Sequence, residues 1–233
     1  MHSNRYIFIY SIIMVVVVAV SLTIVAVQLK PAQENNIRIE KMQNILAAVN
    51  MVTTPADAEA IYKKIITSSI VVNSKGDEVQ GVDAFTTDLA AELKKEEAAR
   101  NLPIYIAQLE KGDTCYIFPL RGKGLWGPVW GYIGLKSDYN TIFGVMFDHK
   151  GETPGLGAEI NTPMFMEPFF GKRIFGDDGK FTSIQIIKGG AKPDDIHGVD
   201  AISGGTITSK GVEHMIYDCL SSYQEFIKKR RSI

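Results

Sequence analysis

Four apolar runs follow one another in the middle of the chain: PIYIAQL at Pro103–Leu109, CYIFPL at Cys115–Leu120, VWGYIGL at Val129–Leu135 and IFGVMF at Ile142–Phe147. All four are rich in β-branched and aromatic residues, and turn-forming residues lie between them. Short runs of this composition predict β-strands. We therefore expect an antiparallel or mixed sheet built from the centre of the chain.

Helical patterns flank the predicted sheet on both sides. Upstream, apolar residues at helical spacing indicate two short helices before a strand-like Ile70–Val72. Downstream, Phe181–Ile187 has the pattern of a further strand, and a last helix is predicted from about Ser209. The apolar face of that helix comprises Val212, Met215, Ile216, Cys219, Tyr223 and Phe226. Because helices gather at the ends and strands in the middle, the predicted fold class is α+β, a mixed or antiparallel sheet flanked by helices.

An uncharged apolar segment lies near the start of the sequence, between Tyr6 and Val27. As a helix rising about 1.5 Å per residue, it can cross the roughly 30 Å hydrocarbon layer of a membrane. A cleaved signal peptide is the alternative, but the run is long for one and no small-residue cleavage site closes it before Lys30. The sequence predicts a retained single transmembrane helix within residues 1–30. Basic residues are more frequent after it than before it, which by the positive-inside rule favours a cytoplasmic body.

Composition excludes several classes of function. With 25 Lys and Arg against 26 Asp and Glu, the net charge is -1, so the chain lacks the basic field that nucleic-acid binding needs. Its two cysteines, Cys115 and Cys219, lie far apart and cannot supply the thiolate set of an iron–sulfur cluster or a structural zinc. We expect two buried thiols, although their spacing leaves a disulfide open. Any redox cofactor of this chain is therefore expected to be organic.

A glycine-rich segment, GKGLWG, matches the dinucleotide-binding pattern G-x-G-x-x-G at Gly122, Gly124 and Gly127. That pattern binds a pyrophosphate only where a strand leads into a helix, whereas Pro128 and a strand-like run follow here. We interpret the segment as a glycine-rich turn leading into a strand. Its Trp126 has two open roles, covering a planar ligand or packing in the core.

A second loop, HKGETPGLGAE, runs from His149 to Glu159 between two apolar stretches. Its three glycines can bring backbone N–H groups close to a ligand, although an ordinary surface loop would have the same composition. His149 has no second histidine at metal-ligand spacing, so we expect a structural role for it and no metal site. Glu152 and Glu159 could form a pair for acid–base chemistry, but nothing in the sequence fixes their separation.

The most informative segment is DAISGGTITS, at Asp200–Ser209, just before the predicted last helix. Gly204 and Gly205 leave the backbone open around the Thr206 hydroxyl, and the free N–H groups of a helix start would favour a phosphate there. The alternative is an ordinary helix N-cap, with Thr208 or Ser209 satisfying the first turn.

The segment DAISGGT resembles the flavinylation motif Asp-x-x-Ser/Thr-Gly-Ala-Thr, in which a flavin transferase joins the phosphate of FMN to the last threonine. Together with the two glycine-rich loops and the single anchor, it makes the chain similar to the C-subunit family of sodium-translocating NADH:quinone reductases. The G subunit of the Rnf complex is a related family. One position departs from the motif, because Gly205 stands where the family usually has alanine.

The resemblance implies covalent FMN on Thr206 as the cofactor and no catalytic residue. Asp200 and Ser203 are the motif positions that the transferase would read. The residues implied to lie around the flavin are Trp126, Glu152, Thr153, Gly155, Leu156, Gly204, Gly205, Ile207 and Thr208.

By the same resemblance the chain is an electron-relay subunit of a membrane respiratory complex, with NADH and quinone bound by other subunits. Residues 1–30 would be the anchor, 31–100 a helical membrane-proximal region packing on the core, and 101–233 the FMN-binding domain. The flavin domain would lie on the periplasmic side of a bacterial inner membrane, against the weak charge signal. The alternatives are an Rnf-type G subunit, which pairs with ferredoxin and NAD, and a membrane-tethered binding module without flavin.

Overall fold

The computed structural model describes residues 3–109 and 112–231. The chain divides into two compact units, one within residues 1–41 and the other within residues 42–233. The second unit contains every strand found among these described residues, and we call it the body of the protein.

Helix α1 (Asn4–Ala47) is continuous, where we predicted an anchor followed by a separate helix. Pro31 lies inside it, and helix formers such as Ala32 and Glu34 follow that proline directly. The large apolar side chains from Tyr6 to Leu29 are exposed. Within the described residues, α1 is the one helix long and apolar enough to cross a membrane.

A five-stranded antiparallel sheet forms the centre of the body, with the strands in chain order. Its strands are β1 (Ile66–Val72), β2 (Leu102–Gln108), β3 (Thr114–Lys123), β4 (Pro128–Lys136) and β5 (Ile142–His149). The four predicted central strands are confirmed as β2 to β5, and the strand-like segment upstream becomes the edge strand β1. The predicted α+β class is therefore confirmed.

Both faces of the sheet are covered, because successive residues of a strand point to opposite sides. On β3, for example, Phe118 packs in one apolar cluster and Ile117 in another. The first cluster includes the last two helices, α5 (Thr206–Ser222) and α6 (Gln224–Arg231). The second includes the end of α1 and the final residue of α2 (Ala58–Ile65). The sheet is thus a middle layer between helices.

Short elements complete the body. They are α3 (Leu89–Glu92), a 3₁₀ turn at Glu97–Ala99, a 3₁₀ turn at Gly157–Asn161, α4 (Pro163–Met166), a 3₁₀ turn at Glu167–Phe169, β6 (Gln185–Ile187) and β7 (Gly198–Asp200). The strand predicted at Phe181–Ile187 shortens to β6, which pairs in parallel with β7. This small ladder places Asp200, the first residue of the segment that resembles the flavinylation motif, at its end.

The predicted apolar face of the last helix is buried, but the helix itself is interrupted at Tyr223. The Tyr223 hydroxyl donates to the carbonyl oxygen of Pro103 at 2.9 Å, which ties the break to β2. Cys115 and Cys219 are both buried and both free, as expected. Burial raises the pKa of each thiol to about 12, so neither is a reactive thiolate.

Candidate functional site

The glycine-rich segment GKGLWG, predicted as a turn leading into a strand, leads into β4 and makes the hairpin between β3 and β4. The Gly124 N–H donates to the Gly127 carbonyl oxygen at 2.8 Å and closes the turn. We call residues 124–127 the hairpin turn. Its tip carries Leu125 and Trp126, residues that are 46% and 70% exposed.

Residues 151–157, which we call the glycine loop, follow β5 and end where the 3₁₀ turn begins. Gly155 adopts φ +74°, a conformation that side chains disfavour, and its N–H donates to Glu159 Oε1 at 2.9 Å. His149 Nδ1 accepts from the Glu152 N–H at 3.1 Å. Glu159 and His149 therefore shape the loop, and the suggested acid–base pairing of Glu152 with Glu159 gains no support from these contacts.

The segment that resembles the flavinylation motif, residues 200–206, forms a tight turn after β7. The Gly205 N–H donates to the Ile202 carbonyl oxygen at 3.0 Å, and Gly204 takes φ +75°. Helix α5 then begins at Thr206, three residues before the predicted start at Ser209. Thr206 is consequently the first residue of the helix and is half-buried.

Neither of the two side chains considered as the N-cap of α5 has that role. Gly205 is the N-cap residue and offers no side chain. The Thr208 hydroxyl donates to Glu152, and Ser209 Oγ accepts from the Ile202 N–H at 3.1 Å. The first backbone bond of the helix comes from the Ser209 N–H to Gly205, so the N–H groups before it face outward from a positive helix end.

Glu152 connects the three segments of the site. It is only 5% exposed, its Oε1 accepts from the Trp126 N–H at 2.8 Å, and its Oε2 accepts from the Thr208 hydroxyl at 2.5 Å. Burial favours the neutral carboxyl, but the hydrogen bonds from Thr208 and from N–H groups of the hairpin turn outweigh burial and hold the pKa of Glu152 below its ordinary value. The carboxylate is therefore ionised at neutral pH.

A cavity of about 250 Å³ opens between these segments, and we call it the first cavity. Its lining residues are Leu125, Glu152, Thr153, Leu156, Gly157, Gly204, Gly205, Thr206, Ile207 and Thr208. Eight of the residues that the sequence suggested are thus brought together. Leu125 and Gly157 were not among them, although both lie inside the two glycine-rich segments.

A second cavity of about 410 Å³ lies on the other side of Thr206. It is lined by Lys188, Gly189, Gly190, Asp200, Ala201, Ile202, Ser203, Gly204 and Thr206. Asp200 shapes this wall, since its Oδ1 accepts from the Ala191 N–H at 2.7 Å. Thr206 and Gly204 line both cavities, so the hydroxyl-bearing residue stands at their boundary.

Two residues that the resemblance placed around the flavin do not line the first cavity. Trp126 reaches the site through its backbone N–H, while its indole ring is largely exposed at the tip of the hairpin turn. Gly155 provides the bend of the glycine loop instead of a wall. Among the described residues, no cluster of three or more His, Cys, Asp or Glu side chains could hold a metal ion.

Comparisons with known proteins point to one family. The family described as "FMN-binding domain" matches residues 124–221, a range that includes the hairpin turn, the glycine loop and most of α5. The C subunit of the Na⁺-translocating NADH-quinone reductase of Haemophilus ducreyi is 35% identical over 204 residues, which cover 81% of this chain and 79% of that protein. The C subunit of the same reductase from Neisseria meningitidis serogroup B is 35% identical over 224 residues, covering 86% and 85%.

A solved structure shares the fold as well as the sequence pattern. The crystal structure of the C subunit of the Na⁺-translocating NADH-quinone reductase from Parabacteroides distasonis is similar with a TM-score of 0.79 and 43% identity. The similarity covers 85% of this chain and 96% of that one.

Proposed function

The chain belongs to the C-subunit family of the Na⁺-translocating NADH-quinone reductase, and from this membership we propose that it carries FMN and relays electrons within such a complex. The match to the FMN-binding domain and the first cavity support this role. NADH and quinone are assigned to other subunits, so this chain needs neither a substrate pocket nor an acid–base residue of its own.

The residues of the first cavity fit the parts of FMN. Leu125, Leu156 and Ile207 offer apolar surface for the planar flavin ring. The glycines let the protein backbone approach the ribityl chain of FMN. The outward N–H groups at the start of α5 suit a phosphate. FMN, when bound, supplies the capacity to accept and release electrons one at a time. The apolar side chains would shield it from water and, together with hydrogen bonds, set its potential.

We further propose that FMN is attached through its phosphate to the Thr206 hydroxyl. The observation that carries this is the position of Thr206, half-buried at the first residue of α5 and on the boundary of both cavities. Thr206 Oγ1 would form the new bond to phosphorus, its proton would pass to a base, and the bond from phosphorus to the donor's leaving group would break. The donor is therefore a flavin phosphate activated in a pyrophosphate linkage.

A flavin transferase would read the turn before Thr206. Ser203 is exposed there, and the Asp200 carboxylate holds the wall of the second cavity by its bond to the Ala191 N–H. Both therefore lie on the side of Thr206 away from the first cavity, where an enzyme can approach while the ring side is occupied.

The absorption spectrum and intact mass of the native protein test this function. Protein purified from its own membranes is expected to be yellow and, after denaturation, to retain the mass of one FMN less the water lost in forming the ester. A colourless protein of unmodified mass would favour a binding module without flavin, and yellow colour lost on denaturation would leave FMN as the cofactor but remove the covalent bond.

A further inference from the structure

Glu152 makes contacts that a residue beside a flavin does not require. Its carboxylate accepts one hydrogen bond from the hairpin turn, through the Trp126 N–H, and one from α5, through the Thr208 hydroxyl. Its own N–H donates to His149 Nδ1 at the end of β5. A single side chain in the glycine loop thus bonds to the two other segments that line the first cavity.

Glycines keep the space around this carboxylate free. A Cβ added at Gly124 would lie 2.6 Å from Glu152 Oε1, and one added at Gly157 would lie 2.7 Å from Oε2 and 2.4 Å from Thr208 Oγ1. At Gly211 a Cβ would meet the Lys123 carbonyl oxygen at 2.4 Å, which lets α5 approach the end of β3. Each approach is closer than real Cβ contacts allow, so a side chain at any of these positions would force Glu152, Thr208 or the backbone at Lys123 to shift.

We propose that Glu152 is a positioning residue, which holds the hairpin turn, the glycine loop and the first turn of α5 in the arrangement that Thr206 needs to receive the flavin. The step from Glu152 to Thr206 is short, because Thr208 lies in the same helical turn as Thr206. This inference rests on the proposed attachment of FMN to Thr206, but the contacts of Glu152 are a property of the flavin-free protein.

Three variants separate the hydrogen bonds of Glu152 from its charge and from general stability. Glu152→Gln is neutral but can still accept from the Trp126 N–H and donate to Thr208 Oγ1, because a hydroxyl also accepts. Glu152→Leu fills a similar volume and leaves the Trp126 N–H and the Thr208 hydroxyl without this acceptor. We expect the leucine variant to slow flavin attachment about tenfold or more, since an unsatisfied buried donor is costly, and the glutamine variant to restore most of the rate.

Glu92 supplies the third variant, a matched control for general loss of stability. It is 8% exposed, pairs with Lys95 at 2.7 Å and accepts from the Asn101 N–H at 2.9 Å, and it lines neither cavity. Glu92→Leu therefore also removes a buried, hydrogen-bonded carboxylate. Because that change leaves the site intact, the attachment rate should stay near that of the unaltered chain.

The test has two readouts on the full chain. The first is the rate of flavin attachment when each variant is co-produced with a limiting amount of the transferase. The second is hydrogen exchange of the Trp126 amide in a Thr206→Ala background, which keeps every sample flavin-free. We expect slow exchange in the unaltered site and in Glu92→Leu, and fast exchange in Glu152→Leu.

Each pattern of results decides a different claim. If the unaltered chain acquires flavin and Glu152→Leu acquires it equally fast, the positioning role is wrong. An equal slowing in Glu92→Leu would also overturn it, because stability alone would then explain the loss. If the unaltered chain acquires no flavin, the proposed function fails, while the exchange of the Trp126 amide still shows whether Glu152 orders the hairpin turn.

Discussion

Two adjacent glycines precede Thr206 at the start of α5, and the two positions differ in how well they tolerate a side chain. Gly204 has φ +75°, and a Cβ there would lie 2.5 Å from Leu156 Cδ2. Gly205 has φ -101°, which any residue can adopt, and its Cβ would lie 2.9 Å from Ile202 Cγ2 and 3.0 Å from the Leu156 carbonyl oxygen. Alanine at Gly205, the usual residue of the family motif, therefore needs only a small shift of its neighbours.

The first prediction compares alanine at these two positions. Gly205→Ala should lower the free energy of unfolding by about 1 kcal/mol, the low end for a tight insertion, and leave the flavin attached. Gly204→Ala should cost at least about 1 kcal/mol more, because it also forces an alanine into a left-handed conformation. Urea unfolding measures both costs, and in-gel flavin fluorescence measures attachment. Equal costs at the two positions would contradict this account of the turn.

The second prediction concerns acid pH and Glu152. Because the folded pKa of Glu152 lies below the unfolded value of about 4.3, its ionised form stabilises the fold above that pH, and the stabilisation is lost as pH falls through the folded pKa. Glu152→Gln cannot titrate. We expect the unaltered site to have a higher free energy of unfolding than Glu152→Gln. This difference should be full above about pH 5 and should shrink toward pH 3.

This measurement uses urea unfolding in a Thr206→Ala background, so that bound flavin does not contribute. The difference between the paired proteins cancels the titration of the other carboxylates. A difference that stays constant from neutral to acid pH would show that Glu152 does not ionise with a lowered pKa in the folded protein.

At the residue scale the sequence predicted most residues of the first cavity but not the hydrogen bonds that connect them. The motif resemblance led directly to Thr206 and its two glycines, because these are consecutive. The bond between Glu152 and Thr208 spans 56 positions, and both residues also had local explanations, as a flavin neighbour and as an N-cap. No periodicity or spacing within one sequence links two side chains that meet only after the chain has folded.

At the scale of elements, the start of α5 differs from the start that N-cap preferences predict, because hydrogen bonds formed in the fold use the two hydroxyls. Thr208 and Ser209 are good N-cap residues, and the sequence therefore favoured a start near Ser209. In the fold their hydroxyls bond to Glu152 and to the Ile202 N–H, and the helix extends back to Thr206. The central strands were predicted well because their apolar runs and turns are local signals. The continuity of α1 through Pro31 was not predicted.

The third prediction concerns how much of α1 the folded body needs. The last turn of α1 and the residues after it are core: Met42, Ile45, Leu46, Ala48 and Val49 are at most 6% exposed. Deleting residues 1–29 should leave a soluble, folded domain, since the long continuous run of exposed apolar side chains lies there. Deleting residues 1–50 should remove several kcal/mol, because each large buried side chain contributes about 1.5–3 kcal/mol and a domain has only about 5–15 in total.

Circular dichroism and urea unfolding of the two truncated proteins measure the difference. Close packing is a further reason to expect a loss of stability when residues 1–50 are deleted. A Cβ at Gly134 or Gly144 would meet the Ala48 carbonyl oxygen at 2.7 or 2.8 Å. A stable, cooperatively folded protein lacking residues 1–50 would contradict this assignment of the core. The proposed division at residues 30 and 100 stays a prediction, although β1 joins the sheet from within the middle segment.

At the scale of the whole molecule, the fourth prediction is the side of the membrane on which the body lies. We propose the periplasmic side of a bacterial inner membrane, where the transferase implied by the family motif would reach Thr206. The basic residues after the apolar segment favour the opposite, cytoplasmic side by the positive-inside rule. A C-terminal reporter that is active only outside the cytoplasm should be active, and activity of a cytoplasm-specific reporter would contradict the placement.

The central claim is that FMN is esterified to Thr206, and peptide mass mapping tests it most directly. Native protein is denatured and digested, and the peptide that contains Val199–Lys210 is fragmented to locate the added mass. We expect flavin phosphate on Thr206 and none in Thr206→Ala. Flavin should remain on Thr206 in Thr208→Ala, because the Thr208 hydroxyl bonds to Glu152 and Thr208 does not line the second cavity. Flavin on Thr208, or flavin surviving in Thr206→Ala, would contradict the account.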